Sequence, residues 1–147
     1  MMTEVDFSQR TTQPYSNIGL IKITWADGSH STATCSLVGR NDILTAVHCV
    51  YNPDFGGWAT GFEFYFGSDY NQTTGQFESI VSHPIFTKWT ANAWIDQAFT
   101  DGNNETMLQS EAQYDVALIG IDVAIGDTLG WLGLAPGYNG NQNAVAV

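Results

Sequence analysis

Two short stretches carry residues that could do chemistry together. In Ile43-Leu44-Thr45-Ala46-Val47-His48-Cys49-Val50 a histidine closes an apolar, β-prone run and a cysteine follows at once. In Tyr114-Asp115-Val116-Ala117-Leu118-Ile119 an acid opens another apolar run. Imidazole is the usual general base near neutral pH, because its unperturbed pKa is about 6.5. To deprotonate a hydroxyl it must be held in one tautomer by an acceptor, and a buried carboxylate does this. An acid at the mouth of a buried strand is costly without a partner. His48, at a neighbouring strand end, is the natural partner for Asp115. From pattern alone two plainer readings stand beside this one. A histidine next to a cysteine is commonly a packed polar residue, and an aspartate before a strand is commonly a turn former.

The elements that must position this pair read as short strands. Ile18 to Thr24 alternates and is rich in β-branched residues. Ala26-Asp27-Gly28-Ser29 is a turn, and Thr32 to Val38 is the return strand of a hairpin. Arg40-Asn41-Asp42 turns into the strand Ile43 to Ala46, and Val47 to Val50 forms a short helical turn. Gly61 to Phe66, Gln76 to Val81 and Asp115 to Ile121 complete six strands. Residues 1–15 are polar and read as an extended arm. Residues 87–113 are rich in Thr, Asn, Gln and Asp, and read as a surface insertion with one or two helical turns between Ala91 and Phe99. The expected domain is an all-β, six-stranded antiparallel barrel over 16–135, with 136–147 as the start of a connection to further chain.

Composition narrows the function classes. At 147 residues, with 44% hydrophobic and 13% aromatic residues, the chain suits one folded domain with a core. Four basic residues face fifteen acidic ones, a formal charge of −11. Such a surface repels nucleic acid and suits a secreted or salt-exposed protein. No apolar run approaches the roughly 18 residues of a membrane span, and no signal-type segment follows Met1. The expectation is therefore neither a nucleic-acid nor a membrane partner. Asp101-Gly102-Asn103-Asn104-Glu105 offers oxygen ligands without EF-hand spacing, so no metal and no cofactor are expected.

Cys35 and Cys49 lack the second pair that a zinc motif needs. They lie on neighbouring segments, where a disulfide is expected, with two buried free thiols as the alternative. A bridge would contribute about 3 kcal/mol by restricting the unfolded chain and would imply an oxidising, extracellular compartment.

The stretch Ser36-Leu37-Val38-Gly39-Arg40-Asn41-Asp42-Ile43-Leu44-Thr45-Ala46-Val47-His48-Cys49 resembles the approach to the catalytic histidine of trypsin-like (chymotrypsin-fold) serine endopeptidases. Phe64-Tyr65-Phe66-Gly67, Ser82-His83-Pro84-Ile85-Phe86 and Asp115-Val116-Ala117-Leu118-Ile119 are similar to the segments that follow in that family, in the same order. Arg10-Thr11-Thr12, Leu37 to Asp42 and Gly130-Trp131-Leu132-Gly133 resemble the bacterial glutamyl-endopeptidase (V8-like) branch. The resemblance implies the N-terminal barrel of a double-barrel hydrolase acting on proteins or peptides. His48 would be general base and acid, and Asp115 would orient it.

Three departures accompany the likeness. None of the nine serines (8, 16, 29, 31, 36, 68, 79, 82 and 110) stands in a nucleophile context. Cys35 lies two residues closer to the histidine than the family's usual partner cysteine. The 87–113 stretch is longer than usual. The resemblance thus implies an enzyme only as part of a longer protein, with the serine and a C-terminal barrel supplied elsewhere and this chain alone inactive. The alternative is a protease-like binding module without catalysis.

Overall fold

The structure is a computed structural model and describes residues 5–82, 91–93, 95–100 and 108–134. The His83-Pro84 element, Trp89, Trp94, the Asp101–Glu105 loop and the 136–147 connection lie outside the described residues.

The arm is not extended. Asp6 caps one helical turn, α1 (Phe7–Arg10), by accepting from the Ser8 amide at 2.8 Å. Arg10 then pairs with Asp69 at 2.6 Å and donates to the Ser68 carbonyl at 3.0 Å. A 3₁₀ turn, Tyr15–Asn17, follows. The fully buried Asn17 donates to the carbonyls of Leu129 and Gly130 at 3.1 and 2.9 Å. Local capping and long-range polar contacts thus fasten a segment that has no apolar periodicity of its own.

The strands follow in chain order. β1 (Ile18–Thr24) turns through Gly28, whose φ of 83° favours glycine, into β2 (His30–Leu37). β3 (Asp42–Thr45) pairs with β2. After the His48 segment come a ribbon of β4 (Tyr51–Asn52) and β5 (Gly57–Trp58), then β6 (Gly61–Phe66), which pairs with β1. β7 (Asp69–Asn71) and β8 (Gln76–Glu78) form a second ribbon, and β9 (Val81–Ser82) pairs with β6. β10 (Ala91–Ala93) and two helical turns, α2 (Ile95–Ala98) and α3 (Gln109–Ala112), precede β11 (Ala117–Gly120) and α4 (Gly126–Leu129). The main sheet is antiparallel, with the order β10-β11-β3-β2-β1-β6-β9.

The all-β, antiparallel expectation holds, but the strands are partitioned differently. The expected strand Gln76 to Val81 is two pieces in two sheets. Ser79 Oγ and the Ile80 amide both bind the Phe66 carbonyl, at 2.7 and 3.2 Å, and this breaks the run between β8 and β9. Part of the expected surface insertion belongs to the interior. β10 extends the main sheet, and Ala98, Phe99 and Glu111 are buried.

Alternation explains the core. Ile21 and Ile23 from β1, Leu37 from β2, Ile43 from β3, Phe62, Phe64 and Phe66 from β6, and Ala117 and Ile119 from β11 all turn inward. β1 and β6 approach closely at Gly19, where a Cβ would lie 2.9 Å from the Phe66 ring and from the Tyr65 carbonyl oxygen. Among the described residues no helix is long and apolar enough to cross a membrane.

Candidate active site

Strand register brings the two sequence candidates together. β3 and β11 are antiparallel neighbours with Thr45 opposite Ala117. The chain leaving β3 and the chain entering β11 therefore meet at one end of the sheet. His48 lies just beyond the first strand and Asp115 just before the second.

His48 sits in a 3₁₀ turn, Val47–Cys49. Val47, Cys49 and Val50 are buried and pin that turn to the core, which leaves the imidazole facing outward. Asp115 is delivered by α3 and the following turn, in which the Tyr114 amide donates to Glu111 O at 2.8 Å. Its carboxylate holds His48 at two points. Oδ1 accepts from the His48 backbone amide at 3.1 Å, and Oδ2 lies 2.7 Å from Nδ1. An ionised carboxylate can only accept, so Nδ1 carries the hydrogen and Nε2 is left for a second partner. The His48 side chain is 42% exposed and that of Asp115 only 12%, so the acid is shielded while the base stays reachable.

The electrostatics follow from this contact. The hydrogen bond to Asp115 pushes the His48 pKa up to about 10, with the Cys49 thiol adding to the rise and burial opposing it. For Asp115, burial works to raise the pKa. The hydrogen bonds from the His48 ring and amide, the imidazolium charge and the Val47 amide outweigh it, and the carboxyl falls below its ordinary 3.8. A histidine raised in the folded state stabilises fully below about pH 6.5, and that contribution fades as pH rises toward 10. A carboxylate lowered in the folded state stabilises above about pH 3.8 and loses this on further acidification. The pair therefore contributes most between about pH 4 and 6.5. In an NMR titration the His48 ring is expected to stay protonated through neutrality, and Asp115→Asn to bring its pKa back toward about 6.5. A ring pKa that does not fall in Asp115→Asn would contradict the pairing.

The expected Cys35–Cys49 bridge is not formed. Both residues are buried free thiols. They point into the same core and pack there as small apolar groups. Burial, and secondarily the neighbouring Cys49, push the Cys35 thiol far above its ordinary range, so it stays protonated and inert.

A cavity of about 190 Å³ opens beside His48, with Trp25, Ala33, Cys49, Asn52 and Phe55 in its wall. Trp25 stacks on Phe55 at 5.3 Å and donates to Ser31 Oγ at 2.7 Å. This wall was not legible in the sequence, because it joins the β1–β2 hairpin to the segment after His48. A larger cavity of about 310 Å³, near Arg10 and Tyr15, does not include the pair. Among the described residues no serine hydroxyl hydrogen-bonds the His48 ring, and no group of three His, Cys, Asp or Glu side chains could hold a metal.

A family model, Trypsin, matches residues 7–145. The chain belongs to the trypsin family. Solved trypsin-fold structures agree. A Glu endopeptidase in complex with MPD is similar at a TM-score of 0.53 and 24% identity, over 88% of this chain and 49% of that one. The protease Anisep from Arthrobacter nicotinovorans is similar at 0.56 and 22%, over 83% and 50%. The HL collagenase is similar at 0.52 and 22%, over 84% and 44%. This trypsin-family chain thus spans about half the length of the structures it resembles. None of the curated proteins compared with it matches. Within the trypsin family's barrel, the observed sheet is the N-terminal one that the resemblance implied.

Proposed function

We propose that this chain is the N-terminal half of a serine endopeptidase, with His48 as general base and acid and Asp115 as the group that orients it. The observation that carries this reading is the two-point hold of the Asp115 carboxylate on His48, at 2.7 and 3.1 Å, in a trypsin-family barrel. In the reaction a serine hydroxyl from the second half gives its proton to Nε2 as it attacks the peptide carbonyl. His48 then passes that proton to the leaving amine, while Asp115 keeps the ring in register and stabilises the imidazolium. No cofactor enters.

The second barrel has a further role for His48. Alone, the ring is part of an imidazolium–carboxylate pair at neutral pH. Covering it removes water from the charged form and lowers its pKa, which makes the ring a working base only when the cleft is assembled. Val116, Trp131 and Leu134 are exposed apolar side chains available to such a partner. An extracellular location is part of the same proposal. It rests on the acidic charge of −11 and not on a disulfide.

The 147-residue chain by itself is expected to hydrolyse no peptide above background. Among the described residues no serine hydroxyl bonds the His48 ring, and on this reading the oxyanion donors, each typically worth about 10²–10³ in rate, come with the second barrel. Turnover by a protease-free sample of this chain that disappears in His48→Ala would overturn the half-enzyme reading.

A further inference from the structure

Glu111 is 1% exposed, a depth at which an ionised carboxylate is costly unless several donors meet it. Several do. Oε1 accepts from the Thr100 amide at 2.8 Å and from the Thr100 hydroxyl, and Oε2 accepts from the Leu108 amide at 2.8 Å. Hydrogen bonds to an ionised acceptor are roughly twice as strong as neutral ones, so this carboxylate is a fastening between separate pieces of backbone.

Those pieces lead to the two members of the pair. Thr100 directly follows Phe99, whose ring packs 5.6 Å from that of Tyr51, three residues beyond His48. Ala98 and Phe99 share the buried cluster with Val47, Cys49 and Val50 of the His48 turn, and α2 lies against that turn. Leu108 opens the turn that contains Glu111 itself, where the Glu111 and Ala112 amides both donate to the Leu108 carbonyl. Tyr114 N then bonds Glu111 O, and Asp115 N bonds Ala112 O at 3.3 Å, immediately before the Asp115 carboxylate reaches His48.

We propose that Glu111 is a positioning residue, whose buried carboxylate locks the segment packed on the His48 turn to the turn that presents Asp115 and so sets the geometry of the pair. Its consequence for catalysis rests on the endopeptidase reading; its effect on the pair does not. The hold acts through backbone on both sides. Loss of Glu111 loosens the contact between Asp115 and Nδ1 without removing either group.

The test uses the 147-residue chain and no activity. The ionisable groups beside the His48 ring are Asp115 and Cys49, and Asp96 on α2 is exposed. Glu111→Gln itself removes a buried negative charge, so Thr100→Ala, which keeps that charge, is the variant whose shift in ring titration reports on the Asp115 contact alone. Glu111→Gln is expected to lower the His48 pKa by about one unit, a tenfold change in proton affinity, and to broaden or remove the downfield Nδ1 proton. Thr100→Ala, which removes the hydroxyl donor and keeps both amides, is expected to move the titration the same way by less, and it covers the case in which Glu111→Gln does not fold. Asn17→Ala, a buried polar change fastened to Leu129 and Gly130 instead, is the control for general loosening. It should lower the melting temperature and leave His48 unmoved. A folded Glu111→Gln or Thr100→Ala chain that titrates as wild type would overturn the proposal. So would an equal shift in Asn17→Ala.

Discussion

On the proposed endopeptidase reading, the full two-barrel protein is expected to lose about 10⁶-fold in kcat when His48 is replaced by alanine. The loss should fall on kcat more than on KM, since the imidazole moves a proton in the transition state and does not anchor the substrate. Asp115→Asn should cost less, about 10⁴-fold. The amide would keep the ring in place, but its nitrogen would face Nδ1 as a donor and favour the tautomer with the hydrogen on Nε2. The double variant should be no slower than His48→Ala alone, because the two side chains act as one unit. Steady-state kinetics on a peptide series, with melting temperatures as a folding control, measure all three. A His48→Ala enzyme within about tenfold of wild type would remove the imidazole from the mechanism.

The largest expected loss of stability lies in the aromatic row of β6. Phe62, Phe64 and Phe66 are all fully buried, and the Phe64 ring lies 6.0 Å from that of Phe62 and 6.5 Å from that of Phe66. β6 pairs along β1, with Phe64 opposite Ile21, so a hole here sits against an interior strand of the sheet, paired on both sides. Phe64→Ala is expected to lower the unfolding free energy by about 3–5 kcal/mol, from lost burial plus the cavity left behind. Phe77, half exposed on the β7–β8 ribbon, is the contrast. Phe77→Ala should stay within about 1 kcal/mol. Denaturant unfolding with an unchanged m-value would give both figures. Equal losses at the two positions would contradict the assignment of the core.

What was legible in the sequence is what alternation and strand neighbours determine. Ile18 to Thr24, Ile43 to Thr45, Phe62 to Phe66 and Ala117 to Ile119 carry their burial pattern in the order of their residues. The two strand ends that border His48 and Asp115 could be recognised from the runs themselves. What was not legible depends on partners far along the chain. The arm folds because Arg10 finds Asp69 and Asn17 finds the carbonyls near α4. Gln76 to Val81 breaks because Ser79 and Ile80 meet Phe66. Cys35 and Cys49 have a spacing that allows a bridge, but pairing depends on Cα separation and the direction of each Cβ, which spacing does not report. Glu111 is hidden for a similar reason. A glutamate in a stretch rich in Asn, Thr and Gln reads as solvated until Thr100 and Leu108 are seen to close around it.

The central claim is that His48 and Asp115 activate a serine lying outside residues 1–147. Labelling the two-barrel protein with a fluorophosphonate, which phosphonylates only an activated serine at a useful rate, tests it most directly. Mass spectrometry of the digested product should find one modified serine, located beyond residue 147, with labelling abolished in His48→Ala and strongly slowed in Asp115→Asn. An adduct on any of the nine serines within the chain, or labelling at the wild-type rate without His48, would contradict it.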